Sequence, residues 1–218
     1  MASEPENKET EAPAGKGGRL SKDTLNLIIA ACAVLISAAS FVATYLQSDA
    51  AYRQVKAETW PYLQLSSSNY DMGSDSKVIS LNLENAGVGP AAVKSFTLYY
   101  DKQPVETVWH LLLACCTDEG TDRMTFVQAY IDGSPEAPII TSGASGQIMP
   151  SGNGAGLFIM PRDASNAELW ERLDKARHKL EGRACYCSLL EECYMTDFKS
   201  DPVEVKMCPA NPHKNYNG

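Results

Sequence analysis

Cysteine is the residue type in this sequence with the greatest capacity for chemistry, because the chain has seven cysteines but only three histidines. Most acid–base and zinc sites draw on histidine, so thiol chemistry is considered first. Cys185 and Cys187 are two positions apart, and on a β-strand both side chains point to the same face of a sheet. A turn over residues 189–191 predicts a hairpin that brings Cys193 opposite or near Cys187.

Six of the seven cysteines lie outside the apolar segment that contains Cys32, and an even number in one exported domain is typical of a disulfide framework. The disulfide candidates are Cys115, Cys116, Cys185, Cys187, Cys193 and Cys208. Six cysteines can pair in many ways, and the sequence does not choose among them. We favour a bond between Cys187 and Cys193, and one from Cys115 or Cys116 to Cys185 or Cys208.

A thiolate metal site is the alternative interpretation of the same residues. Cys185, Cys187 and Cys193 could together hold a soft ion, copper(I) above all. In its spacing, Cys185-Tyr186-Cys187 resembles the Cys-x-Cys pair of the copper-delivery assembly factors of cytochrome oxidase, which also combine an N-terminal membrane helix with an immunoglobulin-like exported domain. This resemblance implies a copper(I) or thiol carrier. Zinc is less favoured, because the Cys-x₂-Cys pairs of structural zinc sites are absent from the sequence.

No catalytic residue and no cofactor-binding residue is predicted. His110, His178 and His213 lie outside every recognisable catalytic motif, and the acidic residues are scattered. The glycine-rich segments lack both phosphate-loop spacings, so they are interpreted as turns. The protein is therefore not expected to be an enzyme. A hydrolase is the weakest alternative, and it requires a fold that brings His110 or His178 to a serine and a carboxylate.

Residues 25–46 form an apolar run without a charged residue or a proline. As a helix this run is about 33 Å long, which is enough to cross the hydrocarbon core of a bilayer. The basic residues near its ends favour a cytoplasmic N-terminus and an exported C-terminal part. Four precede the run and two follow it closely: Lys8, Lys16, Arg19, Lys22, Arg53 and Lys56. We therefore expect a single-pass protein of the bacterial inner membrane with its C-terminal domain in the periplasm.

Composition divides the chain into five segments. Residues 1–22 are predicted to be a disordered cytoplasmic tail, residues 23–47 the transmembrane helix and residues 48–59 a helical stalk. Residues 60–209 are predicted to form the folded domain, and residues 210–218 a flexible tail.

Short alternating segments with close turns, and no βαβ rhythm, indicate a mainly β fold: an antiparallel immunoglobulin-like β-sandwich. Two inserted helices are predicted over residues 104–116 and 165–182, the second from a capping box. The predicted strands cover residues 62–65, 78–83, 93–100, 125–131, 139–141, 146–149, 156–160, 184–189, 193–198 and 203–207.

Three short segments carry a further resemblance: Trp60-Pro61-Tyr62, the run from Asn85 to Ala91, and the Cys-Tyr-Cys-Ser hairpin. They resemble small bacterial single-pass proteins with an immunoglobulin- or fibronectin-like sandwich, a group with no assigned activity. The resemblance implies an envelope location and that fold.

The expected function is a membrane-anchored, non-catalytic binding or accessory module for another membrane or envelope protein. The net charge of −8 argues against a nucleic-acid partner. The region after Gln47 has 15 basic and 22 acidic residues, a net charge of −7, which favours neutral or basic partners. Residues 25–46 are expected to contact the lipid bilayer.

Overall fold

The computed structural model describes residues 21–118, 120–133, 138–210 and 214–218. Its first element is helix α1, Lys22–Glu58, which has no buried residue. This helix is long and apolar enough to cross a membrane. Residues 53–218 form a separate compact unit, whereas residues up to Tyr52 form the other unit. The expected cytoplasmic tail over residues 1–22 lies almost wholly outside the described residues.

The compact unit contains two antiparallel sheets in its described part. Sheet 1 has the strand order β1–β2–β7–β5, and its strands are β1 Leu63–Ser68, β2 Val78–Asn85, β5 Ile140–Thr141 and β7 Gly154–Pro161. Sheet 2 has the order β10–β9–β8–β3–β4, with β6 also paired to β3. Its strands are β3 Ala91–Tyr100, β4 Gln103–Val105, β6 Ile148–Met149, β8 Leu180–Cys187, β9 Cys193–Thr196 and β10 Val203–Val205.

Alternation along the strands creates the core between these elements. In β2, Ile79, Leu81 and Leu83 are buried while the residues between them are more exposed, as a period of two requires. Both sheets contribute to one hydrophobic cluster, in which Phe96 and Tyr186 are fully buried. Burial raises the pKa of the Tyr186 phenol to about 12, because the phenolate form would lie in an apolar environment.

Three further α-helices follow the first strands in the described chain: α2 Val108–Cys116, α3 Arg123–Asp132 and α4 Ala167–Ala176. Helix α4 buries Trp170, Leu173 and Ala176 in the core cluster, as its apolar spacing predicts. The Trp170 indole donates a hydrogen bond to the Met160 carbonyl at 3.2 Å, which fixes α4 to sheet 1.

The strand predicted over residues 125–131 is wrong, because this segment belongs to helix α3. The Asp122 carboxylate accepts a hydrogen bond from the Thr125 amide and so starts the helix. One turn apart, the rings of Phe126 and Tyr130 pack on Trp109 of α2, with ring centroids 6.4 and 5.4 Å away. Aromatic residues at that spacing suit a helix face as well as a strand.

The two predicted helices were extended too far. Residues 103–105 form β4, in which Pro104 lies opposite Tyr99, so α2 begins only at Val108. Helix α4 ends at Ala176, and after the 3-10 turn Arg177–Lys179 the chain enters β8, where Leu180 pairs with Tyr100. No side-chain capping bond is formed at the start of α4, because the Asn166 side chain bonds elsewhere. Its nitrogen donates to the Pro161 carbonyl, and its oxygen accepts from the Asp163 backbone amide.

The C-terminus also differs from the flexible tail expected over residues 210–218. Residues 214–218 are described, and Tyr216 is fully buried in the core. The Tyr216 amide donates to the Phe96 carbonyl at 3.0 Å, and the Asn215 side chain accepts from the Phe96 amide at 3.2 Å. These bonds occupy the side of β3 that faces away from β8, between the short strands β6 and β4. The last residues therefore extend sheet 2.

The turn between β2 and β3 is organised by Asn85, whose side chain is 1% exposed. Its carbonyl oxygen accepts from the amides of Tyr62 and Gly87, and its amide nitrogen donates to the carbonyls of Gly89 and Met149. These partners lie before β1, in the turn and at the end of β6, so one side chain ties both sheets together.

Glycine is required twice in this turn because the backbone before β1 passes directly over it. A Cβ atom at Gly87 would overlap the Tyr62 amide and the carbonyl of Trp60. One at Gly89 would overlap the backbone of Thr59. The segment from Asn85 to Ala91 therefore forms the turn between β2 and β3, in agreement with the interpretation of the glycine-rich segments as turns.

We predict that Asn85→Ala lowers the free energy of unfolding by about 3 kcal/mol, because it leaves several buried backbone groups without hydrogen bonds. Asn82→Ala is the matched control, since within the described chain its half-buried side-chain amide donates to the Ser80 hydroxyl alone; we expect a cost of about 0.5 kcal/mol. Urea unfolding of the full-length protein in detergent, followed by tryptophan fluorescence, measures both values. Equal costs for the two variants would contradict the role assigned to Asn85.

Candidate functional site

The hairpin β8–β9 holds the first part of the candidate site. Its register places Cys187 directly opposite Cys193, as the spacing predicts, with Cα atoms 3.9 Å apart. The two form a disulfide. The turn between them is closed by the Ser188 amide, which donates to the Glu192 carbonyl at 2.8 Å, and by the Ser188 hydroxyl, which accepts from the amides of Leu190 and Glu192.

The second disulfide joins Cys185 in β8 to Cys208, with Cα atoms 5.7 Å apart. Ala184 and Tyr186 point into the core, so Cys185 and Cys187 lie on the opposite face of sheet 2. The chain leaves β10 at one edge of this sheet, and residues 214–218 bond beyond β3 on the other side of β8. We call residues 206–210 the C-terminal strap, because this segment lies against the outer face of sheet 2 and is pinned there by Cys208.

The remaining pair is Cys115 with Cys116, at the end of α2. The expected link from one of these residues to Cys185 or Cys208 is therefore not formed. The reason lies in helix packing: α2 packs against α4, where the Arg172 guanidinium donates to the Cys116 carbonyl at 3.1 Å. The end of α2 thus contacts α4 instead of the β8–β9 hairpin.

The two disulfides of sheet 2 are in contact with each other. The Cys187 and Cys208 sulfur atoms are 3.8 Å apart, although each is bonded to a different partner. The sulfur atoms of Cys187, Cys193 and Cys208 all lie within 4.8 Å of one another. We call these three residues the sulfur cluster. The sequence predicts that Cys185 joins Cys187 and Cys193 in a three-cysteine site. In the structure the third member is Cys208, because the strap crosses β8 beside Cys187.

A groove of about 670 Å³ opens onto the sulfur cluster, and all three of its cysteines line the groove. Lys94 and Lys206 line it as well, together with Glu191. Lys94 reaches this face because β3 contains a bulge, where the register passes from Val93 to Ser95. The groove therefore combines the sulfur atoms with two cationic side chains and one carboxylate, and this net positive charge suits thiol chemistry or the binding of an anionic group.

Large apolar side chains flank the groove. Leu189 and Leu190 at the hairpin turn are 60% and 42% exposed, and Met207 of the strap is 74% exposed. We call these three residues the hairpin-tip surface. Each is held by a segment that a disulfide fixes, so the surface is presented on a covalently restrained backbone.

The histidines do not form a hydrolase site in the described chain. The His110 ring accepts a hydrogen bond from the Glu106 amide at 3.5 Å, and the His110 amide donates to the Thr107 hydroxyl that caps α2. His178 lies in the 3-10 turn before β8. Neither ring is hydrogen-bonded to a serine or a carboxylate among the residues that the structure describes. His213 lies outside the described residues.

Sequence reasoning missed the two lysines and the strap. The strand pattern alone does not reveal a bulge at Lys94, and the spacing of Cys208 says nothing about which strand it crosses. Compared with protein families, curated proteins and solved structures, the chain shows no significant match to any of them. The function is therefore inferred from the geometry of the sulfur cluster, the groove and the hairpin-tip surface.

The Cys185–Cys208 disulfide closes a loop with a sequence separation of 23 residues, whereas the adjacent pair Cys115–Cys116 closes none. We predict that the double variant Cys185→Ser/Cys208→Ser lowers the free energy of unfolding by about 3 kcal/mol, from restored entropy of the unfolded chain. Cys115→Ser/Cys116→Ser is the matched control, with an expected cost of less than about 1 kcal/mol. Urea unfolding measures both, and a larger cost for the control pair would contradict this ranking.

Proposed function

We propose that this chain is a single-pass protein of the bacterial inner membrane whose periplasmic domain is a non-catalytic binding module for another envelope protein. In this proposal the two sheets of the compact unit, with Tyr216 in their core, form an immunoglobulin-like sandwich. The hairpin-tip surface carries the proposal: three large apolar side chains are exposed at the rim of one groove, on segments that disulfides restrain. Restraint before binding lowers the conformational entropy that is lost in a complex.

The proposed partner offers an apolar segment and has a neutral or basic surface. Leu189, Leu190 and Met207 supply apolar area, while the acidic balance of the region after Gln47 disfavours an acidic protein. Helix α1 supplies the means of tethering, since it is long and apolar enough to cross a membrane. A tether raises the effective concentration of the module near membrane partners. A contact surface of three apolar side chains is therefore sufficient for binding in the membrane.

We predict that a photo-crosslinking amino acid at position 189 or 207 forms the same discrete adduct in intact cells. The matched control is position 72, because Met72 is 92% exposed but lies outside the hairpin-tip surface. Adding Leu190→Ser to the position-189 probe removes apolar contact area, so the adduct yield falls at least about fivefold. Equal adducts from positions 72 and 189, or no adduct from 189 and 207, would rule out this surface as the binding site.

A second candidate function, a copper(I) carrier, is favoured by one observation: the three sulfur atoms of the cluster lie within 4.8 Å of one another. Three thiolates at that separation suit copper(I), which prefers soft ligands. The ligands of this candidate are Cys187, Cys193 and Cys208. They can act only after both disulfides of sheet 2 are reduced, because a disulfide sulfur is a poor ligand.

We predict that thiol labelling of the full-length protein, in membranes prepared without reductant and then dissolved in SDS to expose the membrane helix, modifies Cys32 alone, because a periplasmic domain keeps the other six cysteines oxidised. Peptide mass mapping identifies the labelled residues, and prior reduction with dithiothreitol is the positive control. Labelled Cys187, Cys193 and Cys208 with one copper(I) bound per chain would favour the carrier. Labelling of all seven without metal binding would place the domain in the cytoplasm.

A further inference from the structure

The contact between the two disulfides of sheet 2 has a chemical consequence that is independent of the binding function. Four sulfur atoms, from Cys185, Cys187, Cys193 and Cys208, belong to two disulfides that touch at Cys187 and Cys208. At 3.8 Å these two sulfur atoms are in van der Waals contact. A thiolate at Cys187 would therefore need little movement to attack the neighbouring disulfide.

We propose that the groove is a thiol–disulfide exchange site for a dithiol, and that Cys187 passes electrons from the hairpin disulfide to the strap disulfide. All three cysteines of the sulfur cluster line the groove, so a dithiol that enters it lies beside both disulfides. Lys94 and Lys206 line the same groove and outnumber the Glu191 carboxylate there, so the net charge of these groups is positive. Positive charge near a thiol stabilises its thiolate, the form that attacks.

The reaction has two balanced steps. First, one thiolate of the dithiol attacks the Cys187–Cys193 disulfide, and its second thiolate resolves the mixed disulfide; the dithiol is oxidised, and Cys187 and Cys193 become thiols. Second, the Cys187 thiolate attacks the Cys208 sulfur, a Cys187–Cys208 bond forms, and the Cys185–Cys208 bond breaks. The electron pair of that bond goes to the Cys185 sulfur, which takes up the proton that Cys187 lost.

The second step replaces the Cys185–Cys208 disulfide by a Cys187–Cys208 disulfide and needs no external oxidant. After the second step Cys208 is still bonded to β8, but through Cys187 in place of Cys185. Cys185, which is 2% exposed, then holds a thiol on the face of sheet 2 beneath the strap. Further reduction by a second dithiol releases the strap from the sheet, so the number of electrons accepted determines whether residues 206–210 remain covalently attached.

The test uses the full-length protein in detergent with Cys32→Ala as background, so that no other thiol interferes. The variant Cys193→Ser leaves a single thiol at Cys187 beside the Cys185–Cys208 disulfide. After acid quenching and alkylation, fragment masses show which residue carries the label. We expect the label on both Cys185 and Cys187, each at no less than about a tenth of the total. Label on Cys187 alone would overturn the proposal.

Cys115→Ser is the matched control, because it leaves one thiol at Cys116, outside the sulfur cluster. Its label is expected on Cys116 only; label on Cys185 or Cys187 here would show unspecific scrambling and would overturn the assignment. If Cys193→Ser does not fold, the same background chain is treated with one equivalent of dithiothreitol. Alkylated Cys185 together with alkylated Cys193 supports the exchange, whereas products with only Cys187 and Cys193, or only Cys185 and Cys208, alkylated refute it.

The two proposals fail separately. Loss of the crosslink at position 189 leaves the exchange reaction unaffected, because Leu189 contributes no sulfur and only flanks the groove. Conversely, a label confined to Cys187 in the Cys193→Ser variant leaves the binding function of the hairpin-tip surface untouched.

Discussion

The side-chain amide of Asn85 forms hydrogen bonds with backbone groups from three segments, and the arrangement of both sheets depends on these bonds. The chain that enters β1, the turn that leads to β3 and the end of β6 each contribute hydrogen-bonding groups that would otherwise be buried without partners. A buried amide that satisfies all of them fixes where sheet 1 ends relative to sheet 2. Gly87 and Gly89 follow from this constraint, since only glycine lets the entering backbone pass so closely.

Sheet 2 is completed by the end of the chain in a different way. Tyr216 fills the core and bonds to β3, while Cys208 attaches the preceding segment to β8. The C-terminal segment is therefore attached to β3 by hydrogen bonds and to the neighbouring strand β8 by a disulfide. The candidate site exists because of this path: the groove lies where the strap meets the hairpin, and without the strap Cys187 would have no second disulfide beside it.

The same geometry links the two proposals. The hairpin-tip surface and the groove share their supports, namely the β8–β9 turn and the strap, so a partner bound to Leu189, Leu190 and Met207 would sit beside the sulfur cluster. The disulfides that restrain the binding surface are also the groups that could accept electrons. A change in their redox state would act on binding through the freedom of the strap, because a released strap loses the pre-organised position of Met207.

The sequence by itself determined the elements whose signals are local. Alternation in β2 and β3, the glycines of the Asn85–Ala91 turn, the apolar helix near the N-terminus and the opposition of Cys187 and Cys193 depend on neighbours within a few residues. Residues 123–132 have a local N-cap in Asp122, but the choice between helix and strand was decided by tertiary structure, through the packing of Phe126 and Tyr130 on Trp109. The partner of Cys208 and the place of Lys94 were decided in the same way. The partner of Cys208 depends on which strand a distant segment crosses, and the place of Lys94 depends on where the register of β3 shifts. Local sequence spacing carries no information about these two features.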